Sequence, residues 1–144
     1  MATRYIESDS NKPLFHFFCI NTSLNDYHFC WAINEGLNVA LSRIEDFSFD
    51  ESVQTFSVFQ DKNTNPSLVY SLLSIKSENG LLMKDLSGFD FLFCVEGQVS
   101  EDEIDQIQRK VSEIKNVLLI TNLENKKLKA TTISDLSYVM EMIG

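Results

Sequence analysis

The sequence predicts an α+β domain: a single layer of helices on a mostly antiparallel mixed sheet, in the order β-α-β-β-β-β-α-β. Three observations predict it. The run LFHFFCIN is apolar on both alternating faces and leads directly into the amphipathic stretch NDYHFCWAINEGL. The middle of the chain holds short β-rich runs separated by turn clusters. A second amphipathic stretch with clear start signals then precedes another apolar run at Val117. This order matches a ferredoxin-like unit with an inserted hairpin.

Residues 1–12 are polar and unpatterned, and they read as a flexible N-terminus with only Tyr5 and Ile6 to tie them down. The remaining 13–144 suffice for a single domain with one sizeable core. From Leu14 to Ile20, Leu14, Phe18 and Ile20 share one side, and Phe15, Phe17 and Cys19 the other, as in a strand covered on two sides. His16 interrupts that pattern. Ser23 offers an N-cap, and Asp26 completes a capping-box-like pair for the first helix. On that helix Tyr27, Cys30, Trp31, Ile33 and Leu37 share an apolar face, which makes Trp31 a core anchor, while Asn25, His28 and Glu35 look outward. Gly36, Leu37 and Asn38 supply its stop.

Val39 to Phe49 fits either a short strand or an irregular crossover pinned by Leu41, Ile44 and Phe47. Asp46, Asp50 and Glu51 do not have calcium-loop spacing and read as a solvated loop. Val53 to Gln60 and Leu68 to Ile75 are β-rich and flank DKNTNP, a hairpin signature. The turn SENG then launches Leu81 to Lys84 as a further strand. Phe89 to Val95 is the most apolar run of the second half and belongs at the sheet centre, closed by Gly97. Ser100 and Glu103 form a capping box, Val99 staples onto Ile104, and Ile104, Ile107, Val111 and Ile114 make a narrow stripe on a surface helix. VLLIT reads as an interior strand. Near the end, either Ser134 caps a last helix carrying Leu136, Val139, Met140 and Ile143, or Ala130 to Ile133 is an edge strand.

Composition limits the function classes. A formal net charge of −9 makes nucleic acid and anionic membrane poor partners, and the turn with Lys126, Lys127 and Lys129 reads as a solvated loop. Cys19, Cys30 and Cys94 sit in apolar runs without metal-knuckle or redox spacing, so they read as buried free thiols in a reducing, cytoplasmic setting. No apolar leader or membrane span is legible. No nucleophile elbow or glycine-rich phosphate cradle occurs, and no cofactor or metal is expected. The acid in the first helical turn, Asp26, disfavours an anion there.

Several segments resemble the small bacterial proteins named for the pattern IPExxxVDY: FHFFCINTSLNDYHFCWAINEGLNVALSRIEDF, then FSVF, LVYSLLSIKSENGLL and MKDLSGFDF. At the naming motif, Met83, Lys84 and Asp85 stand where Ile, Pro and Glu would be. Phe89, Asp90 and Phe91 stand where Val, Asp and Tyr would be, so only Asp90 is identical. The resemblance implies a soluble bacterial single-domain protein and carries over no catalytic residue.

Two functional expectations follow. The first is a non-enzymatic protein-interaction or self-associating domain, for which exposed apolar area would be the site. The second is a small-molecule binder or enzyme with a pocket between the first helix and the meander, using His16, Tyr27, Trp31 and Asp90. Asp90 enters because a carboxylate inside so apolar a strand is costly unless paired.

Overall fold

The two apolar faces of the first strand decide the architecture. In the computed structural model, residues 15–49, 54–78, 80–125 and 128–144 are described. They form β1 (Phe15–Thr22), α1 (Asp26–Leu37), β2 (Ser42–Arg43), β3 (Val58–Asp61), β4 (Val69–Ser74), β5 (Lys76–Ser77), β6 (Gly80–Leu81), β7 (Phe91–Glu96), α2 (Glu101–Ser112), β8 (Val117–Asn122) and α3 (Ala130–Ile143). The expectations for residues 1–14, for Asp50, Glu51 and Val53, and for Lys126 and Lys127 lie outside the described residues.

The main sheet has the order β2-β3-β4-β7-β1-β8. Its described pairings are all antiparallel, so the sheet is not mixed. β7 and β8 run parallel to each other with β1 between them, joined through α2. That is the split βαβ arrangement of a ferredoxin-like unit. The α+β class is as expected.

Register turns sequence alternation into two cores. Phe18, Phe93, Leu72 and Phe59 form one row across four strands, and with Ile20 and Phe91 they meet Phe29 and Ile33 of α1 and Ile104 and Val111 of α2. Cys19, Leu92, Leu73 and Val58 form the neighbouring row on the other face, where Leu136, Val139 and Met140 of α3 cover them. The last helix therefore exists and builds a second layer, where a single helical layer was expected. A strand apolar on both sides requires cover on both. Each fully buried Phe or Leu contributes about 2–3 kcal/mol of transfer free energy, so neither face could be left to water.

Local chemistry explains most boundaries. α1 is capped by Asn25, whose Oδ1 accepts from the His28 N–H at 2.9 Å, rather than by Ser23. Asn38 ends the helix in the left-handed region at φ 57°. In α2 the Ser100–Glu103 capping box forms in both directions as expected. Gly97 has φ +135°, and a Cβ there would lie 2.5 Å from the Ser67 carbonyl oxygen, so this turn admits only glycine.

Two strand expectations are corrected, and one left open is resolved. Leu81 to Lys84 adds no strand to the main sheet: β5 and β6 form a separate two-stranded ribbon, Leu82 and Met83 plug the α3-side core, and Lys84–Leu86 makes a 3-10 turn. The crossover after α1 holds only β2, with Phe47 exchanging two 2.9 Å backbone hydrogen bonds with Phe56. β8 is an edge strand rather than an interior one. Asn21 pairs with Leu119 but Thr22 pairs with Val117, so Leu118 bulges out of the ladder and is 76% exposed.

Candidate functional site

The row beside Phe59–Leu72–Phe93–Phe18 breaks the apolar pattern. Phe91 pairs with both Ile20 and Ser74, and the Ser74 N–H donates to the Ser57 carbonyl, so two serines hold positions on the face that α1 covers. α1 starts only at Asp26, which leaves this end of the sheet without a helix above it. The result is a cleft of about 510 Å³ floored by Ser57 and Ser74 and walled by Thr22, Asp26, Lys76 and Asp90.

Asp90 lies just before β7, not within it. Its Oδ2 accepts from the Thr22 N–H at 3.0 Å, and its Oδ1 accepts from Lys76 Nζ at 3.1 Å. These partners resolve the problem of an acid among phenylalanines. The same residue ties β1 to β7 through its own N–H, which donates to the Ile20 carbonyl. On the opposite wall, the Arg43 guanidinium donates to Asp46 and to the Tyr27 hydroxyl and lies 5.6 Å from the centre of the Tyr27 ring. Its hydrogen bond to Asp46 holds it further toward the charged form. Both cations of the cleft are thus already paired with acids.

Ser57 is different. It is only 8% exposed, its N–H donates to Ser74 Oγ at 3.0 Å, and its own Oγ has no hydrogen-bond partner among the described residues. A buried hydroxyl without a partner is destabilising by about 1–3 kcal/mol.

A second concavity, of about 590 Å³, runs between α1 and the end of α2. Trp31, Ala32 and Ile114 give it an apolar lining, and Gly36 lets Ile114 come within contact of the helix, its side chain 3.4 Å from where a Cβ would stand. His28, Glu35, Lys110, Glu113 and Lys115 rim it.

The four residues expected to share one pocket are distributed. Asp90 lines the cleft and Tyr27 reaches its wall through Arg43, the ring packing edge-on to Phe59 at 5.9 Å. Trp31 belongs to the groove. It is 65% exposed, and Tyr27 is 63% exposed, so neither is part of the core and the reading of Trp31 as a core anchor is corrected. Phe29, Cys30 and Ile33 suffice to seat α1, which puts residues 27 and 31 on its solvent side. His16 is buried toward the other end of β1, opposite Val95, with Nδ1 4.0 Å from Glu124.

Arg43, Lys76, Ser57 and Ser74 were not anticipated from the sequence. The one available signal was polarity at the inward phase of a strand, Ser57 two residues before Phe59 and Ser74 two after Leu72. The cysteines are free and buried as expected, and burial pushes the Cys30 and Cys94 thiols up, away from reactivity. Among the described residues no three His, Cys, Asp or Glu side chains gather as a metal site, and no helix is long and apolar enough to cross a membrane. Compared with known proteins, the chain matches no family model and no curated protein sequence.

Proposed function

We propose that the protein is a non-enzymatic, self-associating domain whose contact surface is the groove between α1 and α2. The observation that carries this reading is Trp31: the chain's single tryptophan stands 65% exposed on a helix beside an apolar groove. Tryptophan is the side chain most enriched at the energetic centres of interfaces, and an exposed apolar patch of this kind marks contact surfaces. The rim favours a second copy of the chain over a strongly charged partner. Lys110 and Lys115 line it together with Glu35 and Glu113, so the patch carries both signs and can be self-complementary about a two-fold axis. The three buried free thiols accord with a cytoplasmic setting. Placement with the IPExxxVDY proteins, read from the first strand and helix, belongs to the same proposal and lends no activity to it.

Sedimentation velocity over a concentration series, with Trp31 emission recorded in parallel, tests the reading. A dimer that forms as Trp31 emission shifts to the blue supports it, because that fluorophore reports from the groove itself. A monomer at all concentrations, with constant emission, refutes it.

A further inference from the structure

We propose that the cleft floored by Ser57 and Ser74 binds a small hydroxylated amine, a site separate from the Trp31 groove and independent of the docking reading. Two observations carry it. The first is the floor: on a sheet face otherwise apolar, Ser74 at the end of β4 and Ser57 just before β3 stand side by side where α1 leaves the sheet uncovered. Ser57 Oγ is buried without a partner at that floor, a donor and acceptor that a ligand hydroxyl would satisfy. Ser74, whose Oγ accepts from the Ser57 N–H and keeps its own proton to donate, and Thr55 add further hydroxyls around it, while those of Thr22 and Ser77 already donate to the Asn116 and Gly80 carbonyls.

The second observation is the charge inventory of the walls. Lys76 is matched by Asp90 and Arg43 by Asp46. Asp26 and Glu78 also line the cleft, and among the described residues neither holds a salt bridge. The surplus is therefore two carboxylates. A neutral polyol would use the hydroxyls and ignore that surplus; a simple amine would do the reverse. A molecule with an ammonium group and neighbouring hydroxyls uses both, through charge-assisted hydrogen bonds to Asp26 or Glu78 and neutral ones to the serines. The volume of about 510 Å³ suits a molecule the size of one sugar ring with room for bridging water.

Glucosamine is the probe and glucose its uncharged control, each titrated into the full chain labelled with ¹⁵N. The expected result is that glucosamine moves the amide signals of Thr22, Ser57, Ser74 and Lys76, with a dissociation constant about ten-fold below that of glucose, the factor of one charge-assisted bond. Asp26→Asn combined with Glu78→Gln brings the two sugars to equal affinity, and Ser57→Ala weakens both. Perturbations confined to other residues, no perturbation by glucosamine, or equal affinity of the two sugars for the unaltered protein would each overturn the proposal. The comparison of sugars on the unaltered chain does not depend on any variant folding.

Discussion

Replacing Asp61 by asparagine should destabilise the fold strongly at neutral pH and progressively less in acid. Asp61 ends β3 and is buried. Its Oδ1 accepts from the N–H groups of Asn63 and Thr64 at 2.9 and 3.0 Å, and its Oδ2 accepts from the Ala40 N–H at 2.9 Å. One carboxylate therefore closes the β3–β4 turn and also pins the crossover from α1 to β2. Burial alone would push its carboxyl up, but the hydrogen bonds from Thr64, Ala40 and Asn63 outweigh burial and hold it at about 2 against an ordinary 3.8. At the usual conversion that gap is worth roughly 2.5 kcal/mol, which solvent at the adjoining exposed turn screens to about 1.5 kcal/mol. Asparagine keeps one acceptor but turns an amide NH₂ toward one of the donors, so the total loss at pH 7 is about 2–3 kcal/mol. Because the folded pKa is depressed, the wild-type contribution is complete above pH 3.8 and is lost as pH falls through about 2. Thermal unfolding followed by circular dichroism should show Tm lower by about 6–10 °C for Asp61→Asn at pH 7. The gap should narrow at pH 3. Equal Tm values at pH 7, or a gap that widens in acid, would refute this account of the turn.

Four further outcomes are expected. Trp31→Ala should weaken self-association at least about ten-fold, as a central interface aromatic does, while leaving Tm nearly unchanged because the side chain is not in the core; sedimentation and thermal melts read both. Raising salt from about 0.05 to 0.3 M should strengthen the dimer, since two copies each carrying −9 repel and the Debye length shortens, so a dimer that dissociates with salt would show that rim ion pairs, and not the apolar groove around Trp31, hold it together. Ser57→Ala should raise unfolding free energy by about 1 kcal/mol in urea titrations, because it removes a buried hydroxyl that has no partner among the described residues. Ser100→Ala should lower it by about 1 kcal/mol, because the Glu103 N–H loses its Oγ acceptor while the Ser100 backbone N–H keeps its bond to the Glu103 carboxylate, measured the same way.

What could be read from the sequence was what alternation and capping dictate locally. Both faces of FHFFCIN and the central place of FLFCV follow from period-two apolarity, and the Ser100 box from its fixed spacing. The same strand pattern implied cover on two sides, yet α3 lacks a side-chain cap and starts at Ala130, so its terminus carried no start signal and its role as the second layer stayed hidden. Trp31 misled because an apolar helical face was drawn too wide: Phe29, Cys30 and Ile33 alone bury α1. The cleft was illegible for a different reason. Ser57 and Ser74 become neighbours only once β3 and β4 pair, and the absence of α1 above them depends on where Asn25 caps that helix.

The bulge at Leu118 sets a limit on how copies of this chain can assemble. A straight, flat β8 would offer each molecule a template on which the next could stack, and the next again, giving open-ended fibres. One extra residue in the ladder kinks that rim at its start and breaks the even repeat that such stacking requires. In the dimer proposed above, by contrast, contact between two identical patches on the helical side would consume both, and growth would stop at a finite number of subunits.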